Sequence, residues 1–249
     1  MDVQPYLDRI GYSGPTEPAL QTLRQLHLAH LMAVPFENLS VISKQPIMLD
    51  EAALYDKIVA RKRGGFCYEL NSLFAWLLRA MGYQVTLLSV RVAMGQGHWS
   101  REFDHMALQV TLGAPWLVDV GFGDSFCLPL RLNTDRGQVQ AGSVFRVINT
   151  DTDYIMQHYA PGKDWHDEYR FTLQPHQIDE FDPMCQFHQA SPESPFTLRR
   201  VCSRTTPDGR ITISDMRLIT THFGQRREQP LRDHDELRQA LWEYFGVAE

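Results

Sequence analysis

Long apolar runs are missing from this 249-residue chain. The most apolar stretch, Leu73 to Met81, is short and broken by Arg79, whereas a bilayer span needs about 20 apolar residues. The first ten residues hold Asp2 and Asp8 and no apolar core, so no signal peptide is expected there. Cysteine is scarce: Cys67, Cys127, Cys185 and Cys202 are scattered, with no C-x-x-C pair. That argues against a disulfide framework and a zinc site, and for reduced thiols in a cytoplasm. An excess of positive charge is lacking too. With 24 Lys and Arg against 30 Asp and Glu the formal net charge is -6, so non-specific binding to nucleic acid or an anionic membrane is not expected. There is no internal repeat, low-complexity tract or flexible linker.

What remains is an ordinary soluble, globular composition, 43% hydrophobic and 22% charged, long enough for a well-buried core. The hydrophobic period changes along it. From residue 17 to 82 apolar residues recur at helical spacing. Leu20, Leu23, Leu26 and Leu31 form one helical face. Asp50 is the expected N-cap of a second helix carrying Leu54, Ile58 and Val59 and closed by Gly64 and Gly65. A third runs from Cys67 to Met81, with Gly82 as its stop. After Tyr83 the pattern turns to short strands, expected at 84–93, 105–112, 116–120, 143–148, 153–159 and 168–173. Strands 197–204 and 210–218 flank a Pro207-Asp208-Gly209 turn. A last helix opens at Asp233, with Glu236 three residues on, and stops at Gly246. Helices, then strands, then a hairpin and a helix predict an α+β fold rather than a βαβ repeat.

The densest chemistry lies in Arg63-Gly64-Gly65-Phe66-Cys67-Tyr68-Glu69-Leu70-Asn71. A thiol at a helix N-terminus faces unpaired backbone N–H groups and the positive end of the dipole, which favour the thiolate and lower its pKa. A small buried core cysteine fits the same spacing. A catalytic thiolate needs a base, and the base an orienter. His105 heads one expected strand and Asp119 lies within the next, so the two can face each other, with Asp119 setting the imidazole tautomer. An aspartate in an apolar strand is costly to bury unless paired. His27-x-x-His30 has ligand-like spacing, but it sits in an amphipathic helix with no third donor nearby, and no metal is expected.

These residues resemble the arylamine N-acetyltransferase family of bacterial type. Pro35-Phe36-Glu37-Asn38-Leu39 resembles its P-F-E-N-L motif, and Arg63 to Asn71 its R-G-G-F-C-x-E-x-N nucleophile motif. His105 with Leu108 resembles H-x-x-L, Val118 to Gly123 resembles V-D-V-G-F-G, and Ser191 to Phe196 resembles S-P-x-S-x-F. The likeness runs in order over nearly the whole chain. It implies an N-terminal helical bundle (1–83) carrying the nucleophile, a central β-barrel (84–190) carrying His and Asp, and a C-terminal α/β lid (191–249). It further implies a Cys67, His105, Asp119 triad and ping-pong transfer from acetyl-CoA, through acetyl-Cys67, to arylamines, arylhydrazines or N-arylhydroxylamines.

By the same resemblance Ser100, Arg101, Gly121 and Gly123 are expected at the coenzyme, and Phe36, Phe122 and Phe126 at the aromatic acceptor. For each glycine a tight turn is the plainer reading, and for Arg101 a solvated side chain. Glu37 and Arg63 read as a buried structural pair. Arg199-Arg200 and Arg226-Arg227 are basic spots, solvated or set against the anionic end of coenzyme A. Three departures bear on selectivity: a short C-terminal part, Phe187 where many relatives have tyrosine, and an acceptor rim made acidic and aromatic by Asp124 and Phe126. The competing readings are a transglutaminase-like or papain-like hydrolase, an amide synthase using another acyl donor, and an inactive binding module. The R-G-G-F-C context and V-D-V-G-F-G favour the transferase, and an intact triad argues against the last.

Overall fold

In the computed structural model, residues 1–140, 142–159, 162 and 164–248 are described. The front of the chain is helical: α1 (Val3–Arg9), α2 (Leu20–Ala33), α3 (Leu39–Ile42), α4 (Glu51–Tyr55) and α5 (Cys67–Ala80). Asp50 caps α4, its carboxylate accepting from Ala53 N at 2.9 Å. Beyond α4 the chain widens into a π turn over Asp56–Ala60, and Lys57 there is buried against Glu69 of α5. Helix α5 is the centre of the front half, with Leu70, Leu73, Phe74, Leu77 and Leu78 all fully buried.

A nine-stranded antiparallel sheet follows, made of β2 (Gln84–Gly95), β3 (His98–Trp99), β4 (His105–Leu112), β5 (Ala114–Val118), β6 (Leu130–Arg131), β7 (Gln138–Gln140), β8 (Ser143–Asn149), β9 (Tyr154–Tyr159) and β10 (His166–Phe171). The order is β6-β5-β4-β2-β10-β9-β8-β7, with β3 on β2. Alternation fills its inside with Leu88, Val90, Ala107, Leu117, Phe145, Val147 and Met156, while Leu87, Met106 and Leu108 face the helical core.

The two end strands are joined by side chains instead of a ladder. Gln138 accepts from Arg131 N (2.9 Å) and donates to Arg131 O (3.1 Å). Gln140 accepts from Cys127 N and Leu128 N (2.9 and 2.8 Å) and donates to Leu128 O (2.8 Å). Each primary amide offers an acceptor oxygen and an N–H donor side by side, as a peptide strand does, so two glutamines nearly close the barrel.

Helix α6 (Asp182–Ala190) and the short α7 (Pro195–Leu198) lead to β11 (Val201–Thr206), β12 (Gly209–Ser214), β13 (Arg217–His222) and β14 (Gln225–Pro230), then α8 (His234–Phe245). These strands form a second antiparallel sheet, edged by β1 (Phe36–Glu37) from the front of the chain. Leu237, Leu241 and Phe245 of α8 pack on Cys202, Ile213 and Leu218.

Several expected elements shift. The strand expected at 210–218 is two strands, because Asp215 adopts a left-handed turn (φ 51°) and its N–H reaches Arg200 O; aspartate tolerates that conformation without a glycine signal. The strand expected from 197 begins at Val201, since Ser194 caps α7. The strand expected at 116–120 ends at Val118, leaving Asp119 just beyond the ladder.

Candidate active site

The loop before α5 is held from both sides. Arg63 donates twice to Glu37 Oε1, at 3.1 and 2.8 Å, and Glu37 Oε2 accepts from Leu39 N. A Cβ on Gly64 would stand 2.0 Å from Pro35 O, so only glycine lets the two segments meet. Phe66 N donates to Glu69 Oε2, whose other oxygen accepts from Lys57 Nζ at 2.6 Å. The expected Glu37–Arg63 pair is thus one of two buried ion pairs that set where α5, and Cys67 at its first residue, begins.

Asn71, one turn along α5, ties that helix to the barrel. Its amide donates to Met106 O (2.6 Å) and to Asp119 Oδ1 (2.9 Å), and its oxygen accepts from Val120 N (3.0 Å). Asp119 Oδ1 also accepts from Gly121 N at 2.9 Å, and His105 Nε2 donates to Oδ2 at 2.7 Å. Burial works to raise the Asp119 pKa, but His105, Asn71 and the Gly121 N–H outweigh it and hold the carboxyl below its usual range.

His27 holds the backbone here: Asp119 N donates to Nε2 (3.2 Å), so Nδ1 carries the hydrogen and donates to Cys127 O (2.8 Å). Burial lowers its pKa and keeps that ring neutral. His30 instead meets the Tyr6 hydroxyl at 2.9 Å, so the two histidines of the H-x-x-H spacing serve different partners. Tyr169, fully buried beside Asp119, packs its ring 5.8 Å from His105 and 4.9 Å from Phe122. His27, Asn71 and Tyr169 are supports that motif reading left without a role. Asn71 alone was signalled, as the last residue of the nucleophile motif.

Cys67 and His105 line one cavity of about 480 Å³. Phe36, Phe122, Phe187 and Phe196 make its aromatic walls, and Ser100, Arg101, Asp104 and His188 its polar side. Because Nε2 of His105 is taken by Asp119, Nδ1 is the nitrogen left for chemistry. Gly121 also lines the cavity; a Cβ there would stand 2.7 Å from Cys67 Cα.

The thiol departs from expectation. Burial pushes the Cys67 pKa well up, and the charge of Asp119 adds to it. A helix N-terminus alone does not overcome removal from water, so a thiolate here requires a proton acceptor in the same cavity.

Phe126, expected at the acceptor, lies in the barrel core instead, stacked on His27 at 5.8 Å. Gly123 is at a turn with φ 95° and does not line the Cys67 cavity. Asp124 is also outside it, beside Arg210 at 3.2 Å. Arg101 is exposed at the rim, over the Phe187 ring at 5.0 Å and 3.9 Å from Glu193. Neither Arg199 nor Arg226 lines the cavity; they lie beside Asp215 and Glu228. A second His–Asp pair was not anticipated: His188 Nε2 meets Asp104 Oδ1 at 3.1 Å and Nδ1 meets Ser194 Oγ at 3.0 Å.

A family model described as N-acetyltransferase matches residues 19–248. An arylamine N-acetyltransferase of the Gallus gallus pineal gland is 34% identical, covering 99% of this chain and 94% of that protein. The chain belongs to the arylamine N-acetyltransferase family. A proansamycin X synthase of Amycolatopsis mediterranei is also 34% identical, over 95% of this chain and 94% of that protein. Among solved structures, the Mycobacterium marinum arylamine N-acetyltransferase in complex with CoA superposes with a TM-score of 0.91 at 32% identity, covering 99% of this chain and 93% of that one. The α+β architecture is therefore the family's. Among the described residues no helix is long and apolar enough to cross a membrane.

Proposed function

We propose that this chain is an acetyl-CoA-dependent N-acetyltransferase acting on arylamines, arylhydrazines and N-arylhydroxylamines, including xenobiotic ones, in the cytoplasm. The observation that carries the reading is one cavity shared by Cys67 and a His105 whose far nitrogen is bound to Asp119 at 2.7 Å.

In the first half-reaction His105 Nδ1 takes the Cys67 proton, and the thiolate attacks the acetyl thioester carbonyl. The C–S bond to coenzyme A breaks, and its sulfur leaves with the proton held by His105. In the second, the amine attacks acetyl-Cys67, His105 takes the amine proton, and the Cys67 thiolate departs. Asp119 fixes the tautomer and stabilises the imidazolium. Because burial opposes a lone thiolate, the ion pair with His105 is the active form. Phe36 and Phe122 present an apolar wall to the acceptor ring, Gly121 leaves room for the thioester arm, and Ser100 and Arg101 sit where the coenzyme would enter. The proposed division is a helical part (1–83), a barrel part (84–190) and a C-terminal part (191–249), and the cavity draws Cys67 from the first, His105 from the second and Phe196 from the third.

The test is intact mass after incubation with acetyl-CoA and no amine, beside Cys67→Ser. The expected result is one acetyl group on the wild type alone, cleared by aniline or a hydrazine. A second reading, an amide synthase with another acyl donor, is favoured by the likeness to proansamycin X synthase. It prevails if no acetyl adduct forms while a longer acyl thioester loads Cys67.

A further inference from the structure

Beyond Phe122 the same loop enters a second cleft of about 710 Å³, between the barrel and the β11–β12 hairpin, lined in part by Asp124, Cys127, His158, Glu168 and Arg210. Three donor side chains converge at its edge. His166 of β10 stands directly opposite His158 of β9 in the ladder, so both rings project from one face of the sheet. Glu168 is the residue left unpaired by a bulge between Asp167 and Tyr169, the kind of irregularity that re-aims a side chain. Its Oε1 lies 3.0 Å from His166 Nε2 and 3.5 Å from His158 Nδ1.

We propose that His158, His166 and Glu168 form a binding site for a divalent transition cation of the zinc class, distinct from the Cys67 cavity. One ligand atom from each residue lies within 4.8 Å of the other two. Bonds of about 2.0–2.1 Å to a tetrahedral ion place neighbouring donors about 3.3 Å apart, and the two N···O separations bracket that figure. Two imidazoles and a carboxylate suit zinc, cobalt and nickel better than calcium or magnesium.

The site is built more firmly than a chance surface cluster. The His158 ring stacks on Phe145 at 4.6 Å and 13°, which fixes one ligand, and the ladder fixes the second against it. His166 is the exposed member, its side chain 47% accessible, which gives an ion its way in. Three protein ligands leave a fourth position for water. The sequence expectation of no metal rests on spacing along the chain, whereas these ligands are brought together by strand pairing and a bulge.

The experiment titrates cobalt(II) into chelator-treated protein carrying Cys67→Ser, so that the reactive thiol takes no ion. Visible d–d absorption reports coordination. One equivalent should bind with tetrahedral-type intensity, and His166→Gln or Glu168→Gln should each weaken it about 100-fold. His98→Gln, an exposed histidine on β3, should change nothing. Zinc at a hundredfold excess over its Kd should raise Tm by about 5–10 °C, and this rise should vanish in both site variants. His166 is exposed enough for its variant to fold, which the Tm without metal checks. Absence of a one-equivalent site, or binding unchanged by both substitutions, overturns the proposal. The cluster is then only hydrogen-bonded, or the ion sits elsewhere. Acetyl loading of wild-type Cys67 is read separately and stands or falls by itself.

Discussion

Asn71 is where the helical front and the barrel are stitched together. Its amide bonds Met106 O, Asp119 Oδ1 and Val120 N, all within 3.0 Å and all buried. Removing it takes one of two donors from Asp119 Oδ1, which keeps the Gly121 N–H, and leaves two backbone groups short of a partner. A hydrogen bond to a charged group is worth about 1.5–3 kcal/mol, and 1.4 kcal/mol is tenfold in rate. Asn71→Ala should therefore lower kcat/KM for acetyl transfer about 10- to 100-fold, through an Asp119 no longer aimed at His105. The accompanying sign is a shifted pH profile for alkylation of Cys67, since the imidazole that accepts its proton is less well oriented. An unchanged profile with reduced Tm would make Asn71 purely structural.

At the scale of elements, the means by which the expected barrel closes is the least expected feature. Strands β6 and β7 are only two and three residues long, and Gln138 and Gln140 supply what the missing ladder does not. Gln140→Ala leaves Cys127 N, Leu128 N and Leu128 O without that partner. It should cost about 1–3 kcal/mol, a Tm lower by several degrees, while Gln140→Glu retains the acceptor but not the donor and should fall between. Thermal scans of the three proteins decide it, and a Gln140→Ala Tm within about 1 °C of wild type would mean that water replaces the amide.

The same element shows where sequence reading stops. Helix α5 was expected over Cys67 to Met81 and runs Cys67–Ala80, because a 3.6-residue apolar period and a terminal glycine are local signals. The expected hairpin likewise turns at Pro207-Asp208. Short strands with one or two apolar residues carry no period, and α6 (Asp182–Ala190) falls in a stretch to which no element is assigned from sequence. The site divides along the same line. Cys67, His105 and Asp119 lie in recognisable motifs, and so does the Gly121 whose hydrogen leaves room for Cys67. His27 supports Asp119 across 92 residues, and no local pattern announces such a contact. Phe126 was misplaced for the same reason: the turn sequence around it does not say whether its ring faces the cavity or His27.

Across the whole molecule, an apolar core joins helices α2 and α5 to Met106 and Val118 of the barrel and Cys185 of α6, and buried carboxylates add directed ties between the same parts around the cavity. Asp119 of the barrel side reaches α5 through Asn71 and meets His27 of α2 through its backbone, and Asp104 reaches His188 of α6. Burial would raise both carboxyls, yet His105 and Asn71 hold Asp119, and His188 and Ser100 hold Asp104, below the ordinary range. A carboxyl depressed in the folded state binds its proton more weakly there than in the unfolded chain, where its pKa is about 3.9. Its contribution is therefore fully present above about pH 4 and is lost as pH falls from there through the folded value. Glu69 has the opposite sign, because burial raises it. Its effect lies above about pH 4.3, where stability falls as pH rises towards its folded value. Tm measured from pH 7 down to 3 should thus drop steeply only below about pH 4. Asp119→Asn should start lower and lose less over that last interval, because its amide has no proton to gain. The difference between the two curves removes Glu69, which both proteins share. Curves that stay parallel below pH 4 would show that Asp119 is not what acid breaks, and would leave the Asp104–His188 contact to α6 as the joint that opens first.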